Sequence, residues 1–255
     1  MPTVRLRRER PGEAAALSAV GGFLDAYTFL AHGGVFANAQ TGNVVLFGAQ
    51  AATGEWSQAL RHVPPILAFI AGLLTAEVLA RPAARRRLRR PARVVLLVEC
   101  LVFVAVGCLP AATPDVIATV AIAWAATLQI GTFRQAGDVS YNATFTTGNL
   151  RSLVSSAAAW AVERDADAVR RTRTLGAVVL SFAGGAVLGG VATRRWSTHA
   201  VVLVVPVLLL VLLSIAGHAR RERDRESHAT SPADGGRSHP PSLNAAEHAG
   251  PPPAG

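Results

Sequence analysis

Ala37-Asn38-Ala39-Gln40-Thr41-Gly42-Asn43 recurs farther along the chain as Ala143-Thr144-Phe145-Thr146-Thr147-Gly148-Asn149, and each copy follows one apolar run and opens another. The shared core is Thr-Gly-Asn. Beyond it, Phe69-Ile70-Ala71-Gly72 matches Ser181-Phe182-Ala183-Gly184, and the run from Val94 matches the run from Ala200 in position. The repeating unit is a span, a Thr-Gly-Asn segment and two more spans. A unit that crosses a bilayer an odd number of times forces its second copy to start on the opposite face, so the two copies are expected to be inverted repeats related by an axis in the membrane plane.

The composition around these copies agrees with a membrane setting. Of 255 residues 51% are apolar, yet the formal charge is +9 and all 25 basic residues are arginine. Long uncharged runs alternate with short arginine clusters, whereas a soluble nucleic-acid binder spreads its cations along a folded face. The charge is therefore read as topology, and a nucleic-acid partner is not expected; the lipid bilayer is. The two cysteines, Cys100 and Cys108, share one apolar run with no Cys or His at metal-ligand spacing, so neither a disulfide framework nor a zinc site is expected. Arg5, Arg7, Arg8 and Arg10 precede a first run that contains Asp25 and is longer than a signal-peptide core, and it reads as a retained span.

A hydrocarbon core of about 30 Å takes roughly 17–25 residues of helix. Six segments qualify: Ala14–Ala31, Val63–Ala80, Val94–Leu109, Val116–Phe133, Leu175–Ala192 and Ala200–Ala216. Phe36–Ala52 and Asn142–Trp160 are as long but begin with Asn, Gln, Thr, Ser and Gly. Arginine placement decides how they run. The N-terminus, the loop Arg81–Arg93 with its seven arginines and the tail Arg220, Arg221, Arg223 and Arg225 all belong inside. An even number of crossings must separate these landmarks, so each polar stretch enters and leaves on one side or stops midway. The expectation is an all-α integral membrane protein of six spans plus two broken or re-entrant Thr-Gly-Asn segments, with both termini cytoplasmic. An eight-span arrangement would put seven arginines on the wrong side. The divisions are a basic N-terminus over 1–13, repeat 1 over 14–110, repeat 2 over 111–217 and a cytoplasmic tail over 218–255. From about Arg220 the tail has almost nothing apolar and reads as disordered, with His218, His228, His239 and His248 solvated rather than metal-bound.

Glycine tolerates backbone conformations other residues resist, and flanking Thr and Asn side chains satisfy groups that leave the helical ladder. Unsatisfied backbone in hydrocarbon costs several kcal/mol, so a polar break repeated at equivalent places points to a cavity lining. The alternative is a structural turn or packing motif. The candidate substrate-binding residues are Asp25, Asn38, Gln40, Thr41, Gly42 and Asn43 from the first copy with Thr144, Thr147, Gly148 and Asn149 from the second. Asp25 lies mid-span near Tyr27 and Thr28. It is the best candidate for a carboxylate that binds a proton or cation, a structural pairing being the other reading.

Other charges have local partners in the sequence. Glu77 precedes Arg81 by one helical turn, Glu99 follows Arg93 by about one and a half, and Gln129, Arg134 and Asp138 surround the exit of the fourth span. Arg134 and Asp138, four apart, form a candidate gating pair closing the inner end of the second Thr-Gly-Asn segment. Gly21 and Gly22, and the small-xxx-small set Gly184, Gly185, Gly189 and Gly190, are expected at close helix crossings. The sequon Asn142-Ala143-Thr144 lies on the side expected to be cytoplasmic, where glycosylation carries little weight.

No nucleophile elbow, phosphate-binding loop, HExxH helix or dinucleotide fingerprint occurs, and no cofactor or enzymatic activity is expected. The leading reading is a transporter or channel for a small molecule or ion, with a homo-oligomer as a further candidate state. A non-transporting scaffold or sensor, and less so a membrane-embedded enzyme, are the alternatives.

Gly21-Gly22-Phe23-Leu24-Asp25-Ala26-Tyr27 followed by Gly33-Gly34-Val35-Phe36 and the first Thr-Gly-Asn copy resembles the YoaK-like family, bacterial membrane proteins carrying a domain of unknown function. The resemblance covers about Ala14 to Ala216 and leaves the tail outside. It implies a multi-pass protein of the bacterial inner membrane and supplies no substrate or catalytic residue.

Overall fold

The computed structural model describes residues 9–82, 90–143 and 146–229, with side chains through His218. It is all-helical apart from a two-residue-per-strand hairpin. The helices are α1 (Pro11–Ala31), α2 (Gln40–Ala52), α3 (Trp56–Ala59), α4 (Val63–Ala80), α5 (Pro91–Gly107), α6 (Asp115–Thr132), α7 (Thr146–Glu163), α8 (Ala166–Trp196) and α9 (Val205–Ala229), with 3₁₀ turns at Leu60–His62 and Ser197–Val204. The antiparallel strands β1 (Gln135–Ala136) and β2 (Val139–Ser140) follow α6.

Local chemistry sets the helix starts. Pro11 and Pro91 occupy first-turn positions, where a missing N–H costs nothing. Asp165 caps α8 by accepting the Asp167 N–H at 2.9 Å. That cap lets α8 begin well before the expected span at Leu175, through Arg170, Arg171 and Arg173. The helix ends at Ser197, whose φ of 53° leaves the helical region.

Four segments are long and apolar enough to cross a membrane among the described residues: Pro11–Ala31, Trp56–Ala80, Asp115–Thr132 and Ala166–His218. The last, at 53 residues, contains the break at Ser197. α5 has 17 residues and falls just below that length. Apolar side chains face outward along these helices. Leu67 (60% exposed), Ile70, Leu74 (63%) and Val78 form a three-and-four-spaced stripe on α4, and Leu180 (73%), Val187 and Val191 do so on α8. Stripes of this extent on one chain mark a surface built for lipid or another apolar partner.

The two largest helix interfaces are α1 against α8 and α4 against α6. Both crossings are close because glycine sits where any side chain would collide. A Cβ on Gly22 would stand 2.0 Å from the Phe182 carbonyl oxygen, on Gly185 2.0 Å from that of Ala19, and on Gly189 2.5 Å from that of Phe23. In the second crossing a Cβ on Gly72 would lie 2.7 Å from the Trp124 carbonyl oxygen, and on Gly131 2.2 Å from the Ala76 Cβ. Gly190 faces α1 less tightly, a Cβ there lying 3.7 Å from a Leu30 methyl, and Gly184 meets nothing within 4 Å. Gln129 adds a polar tie by donating to the Leu17 carbonyl at 3.2 Å, and Ser18 donates to the Val178 carbonyl at 2.9 Å.

Residues 1–216 form one compact unit, and 217–255 are divided from it. The described backbone beyond Ala216 is helical to Ala229, over the first residues of the stretch read as a tail, where Arg, Glu and Ala are strong helix formers. The rest of that stretch, with His239 and His248, lies outside the described residues, as do Arg5, Arg7, Arg8 and most of the loop 81–93.

Candidate functional site

Thr41-Gly42-Asn43 and Thr147-Gly148-Asn149 are helical, each within the first turn of its helix, α2 or α7. The expected interruption therefore lies just before the motif. In the first copy it is the segment His32 to Ala39, where Gly33 (φ 74°) and Gly34 (φ 76°) take the left-handed conformation that glycine permits.

Side chains satisfy this non-helical backbone. Asp25 Oδ1 accepts the N–H of Asn38 at 2.7 Å and of Ala39 at 3.4 Å. Thr28 Oγ1 accepts the Ala37 N–H at 3.1 Å. Asn43 closes the loop from the other end, accepting the Phe36 N–H at 2.9 Å and donating to the Phe36 carbonyl at 2.8 Å. Its amide also donates to Gln40 Oε1 at 2.9 Å, while Gln40 donates to the Ala37 carbonyl at 2.8 Å. His62 Nδ1 lies 3.3 Å from Asn43 Oδ1 and Nε2 lies 3.1 Å from Gln50 Oε1, tying α2 to the turn before α4. Asp25 thus holds the segment that leads into α2 from a different helix, and its carboxylate lies near the positive end of the α2 dipole.

The second copy repeats the clasp. Asn149 Oδ1 accepts the Asn142 N–H at 3.0 Å and its amide donates to the Asn142 carbonyl, seven residues back as Phe36 is from Asn43. Thr144 lies outside the described residues. Stranding a buried donor or acceptor costs about 1–3 kcal/mol. Asn149→Ala should therefore lower the melting temperature in detergent, and Asn43→Ala should lower it further, since Gln40 and His62 lose a partner as well. Equal melting curves for the two variants would refute that ranking.

Asp25, Thr41 and Gly42 from the first copy and Thr146 and Thr147 from the second line one cavity of about 660 Å³, walled by Phe29, Phe36, Phe182 and Ala186. Among the described residues Asp25 Oδ2 and Thr146 Oγ1 are buried without a hydrogen-bond partner, as is Asn38 Oδ1 nearby. A second cavity of about 610 Å³ is lined by Gly148, Asn149 and Asn142 with Arg134, Tyr141 and Phe69. The structure thus brings Asp25, Thr41, Gly42 and Thr147 together, places Gly148 and Asn149 on the second cavity, and gives Asn38, Gln40 and Asn43 to the clasp that shapes the first.

Of three ion pairs expected from spacing, two are replaced and the third does not form. Arg134 does not pair with Asp138: its Nη2 lies 3.1 Å from Glu77 Oε1, and Asp138 Oδ2 lies 2.6 Å from Arg170 Nη2. The hairpin after α6 turns Asp138 away from the arginine that precedes it and toward α8. Glu77, on the helix packed against α6, is drawn to Arg134 instead of Arg81. Glu99 does not approach Arg93, which donates to the Ile215 carbonyl at 3.4 Å. Glu99 is fully buried on the inner side of α5, and neither carboxyl oxygen has a partner among the described residues. Because unmet carboxyl oxygens are costly, Glu99→Met should raise stability by about 1–3 kcal/mol. A lower melting temperature for that variant would show that Glu99 carries structural weight.

One polar set was not foreseen from sequence. His32 Nδ1 lies 2.9 Å from Asp115 Oδ1, Nε2 lies 2.9 Å from the Tyr27 hydroxyl, and Tyr27 donates to the Thr198 carbonyl at 2.7 Å. Tyr27 has one hydroxyl hydrogen, so all three bonds coexist when both ring nitrogens of His32 carry protons. The set joins the end of α1, the start of α6 and the 3₁₀ turn after α8. The only signal for it in the sequence is a histidine placed between the end of an apolar run and a glycine pair.

These features define an all-helical protein with four segments of the length and apolarity of membrane spans among the described residues, and with polar residues gathered on two open cavities. The chain belongs to the family described as Protein of unknown function (DUF1275), whose profile matches residues 14–216. That range agrees with the YoaK-like resemblance and likewise stops short of the tail. No curated protein and no solved structure matches the chain.

Proposed function

We propose that this chain is a multi-pass transporter of the bacterial inner membrane, with a small-solute site in the cavity where Asp25 meets both Thr-Gly-Asn copies. The observation that carries the reading is that residues from both halves of the chain line one cavity beside a buried carboxylate oxygen with no partner among the described residues. Transporter sites built from inverted repeats lie at the repeat interface, against the starts of discontinuous helices.

The repeat reading is supported by matched geometry. Exchanging α1 with α6 and α4 with α8 turns one principal helix pair into the other. The Asn43 and Asn149 clasps are the same, and Gly72 and Gly185 both stand against main-chain carbonyls. The equivalent of Gly72 is then Gly185, one residue on from the sequence match with Gly184. In this reading the crossing helices are α1, α4, α5, α6, α8 and the apolar part of α9, six in all, with α2 and α7 re-entrant. The Arg134–Glu77 and Asp138–Arg170 pairs replace the gating pair expected from sequence, and both termini are cytoplasmic.

Transport is favoured over catalysis by the space available. The Tyr27–His32–Asp115 set adjoins a cavity of about 30 Å³, and the Tyr27 hydroxyl is committed to Thr198. That set serves better as a tie between helices than as a reaction centre.

The test is uptake of radiolabelled cationic, neutral and anionic solutes into proteoliposomes under an imposed pH gradient. One solute class should show uptake that Asp25→Asn abolishes and Gly184→Ala retains. Uptake unchanged in Asp25→Asn, or none for any class in the wild type, would overturn the proposal.

A further inference from the structure

Resting on the transport reading of the same cavity, we infer that its ligand is an amphipathic organic cation that exchanges with a proton on Asp25.

Asp25 is the one ionisable side chain lining this cavity among the described residues. Oδ1 is held by the two backbone N–H groups of the α2 start, and Oδ2 is buried with no partner. Among the described residues no arginine, lysine or histidine that might receive an anion lines the cavity. A neutral polyhydroxyl solute would find few groups to replace its water, since most of the wall is Phe, Leu, Ala and Gly and the other polar side chains are threonines. The rings of Phe29 and Phe36 stack with centroids 4.9 Å apart, and Phe182 faces the same space. Aromatic faces are electron-rich and attract a cation that has shed its water, while their area accommodates an apolar body. At about 660 Å³ the cavity holds a molecule of drug-like size.

The route follows from exposure. Phe29 and Leu30 line the cavity yet are 41% and 54% exposed on the outer surface of α1. One side of the cavity therefore opens where lipid would lie, and a solute that partitions into the bilayer reaches it laterally. A buried carboxylate at membrane depth needs a neutralising partner. With the cavity empty that partner is a proton; when a cation binds, the proton leaves to the aqueous phase and the charge of the site is unchanged.

The test uses the full-length chain in detergent with Cys100→Ser, Cys108→Ser and Ala186→Cys, and with Thr41→Cys as a second reporter. Tetraphenylphosphonium is compared with tetraphenylborate, its anion of similar size and shape. The cation should slow alkylation of either reporter severalfold and release protons into weakly buffered solution, and Asp25→Asn should abolish both effects while Gly184→Ala keeps them. Protection by tetraphenylborate or a neutral solute, with none from the cation, would overturn the ligand class and leave the transport site standing. Rapid alkylation of both reporters in the presence of every probe would remove the cavity as a ligand site, and the transport reading with it. Protection by the cation without proton release would overturn the exchange.

Discussion

Gly185→Val should prevent the protein from accumulating in a folded, monodisperse form. A Cβ at this position would stand 2.0 Å from the Ala19 carbonyl oxygen and 2.7 Å from its carbonyl carbon and Cα, so the obstacle is backbone of another helix rather than a side chain that can rotate away. Overpacking a core that can adjust costs about 1–3 kcal/mol. Here α1 would have to move from α8 along the largest interface in the structure, and the loss should exceed that range. Gly185→Ala should already lower the melting temperature markedly. Gly184→Ala, one residue away and with nothing within 4 Å, should melt as the wild type does. Size-exclusion profiles and thermal melts of the three variants in detergent check the series, and equal stability of Gly184→Ala and Gly185→Ala would contradict the packing described.

Asp25 should separate structure from function. In Asp25→Ala the N–H groups of Asn38 and Ala39 lose their acceptor at a site that is 5% exposed, and stranded groups cost about 1–3 kcal/mol each. That variant should be markedly less stable, with the start of α2 loosened. Asp25→Asn retains a carbonyl oxygen where Oδ1 sits, so it should keep most of the stability while losing the charge that a cation or proton needs. Melting temperature and solute uptake, measured on both variants, should fall together in Asp25→Ala and part company in Asp25→Asn. Full activity in Asp25→Asn would leave Asp25 only as a support for the segment before α2.

Much of this organisation was legible because it is local. Apolar runs bounded by Pro and Arg gave most helices within a few residues, though α8 starts well before Leu175 and α9 runs on past Ala216; the paired copies drew attention to Thr41, Gly42 and Thr147, and a mid-span charge to Asp25. Two things misled. Glycine next to Thr and Asn looked like a broken backbone, whereas the strain is carried by Gly33 and Gly34 and the asparagine reaches back seven residues to hold it. One-turn spacing suggested Glu77–Arg81 and Arg134–Asp138 pairs, but Arg134 and Glu77 are 57 positions apart and meet only because α4 packs on α6. His32 and Asp115, 83 positions apart, are joined in the same way, by a tertiary approach that no short-range pattern encodes. The burial of Glu99 was equally hidden, since a carboxylate near the end of an apolar run reads as interfacial until the neighbouring helices are in place.

The central claim is that the space between the two Thr-Gly-Asn copies is a wet site reached in turn from both faces of the membrane. The most direct test is alkylation of Thr41→Cys and Thr147→Cys, each alone in a background without Cys100 and Cys108, by a membrane-impermeant maleimide in right-side-out and inside-out vesicles. Both residues line one cavity, so each should react from both faces, and Asp25→Asn should shift the ratio of the two rates in the same direction for both. If both react from a single face only, or from neither, the site does not alternate and the copies are packing motifs.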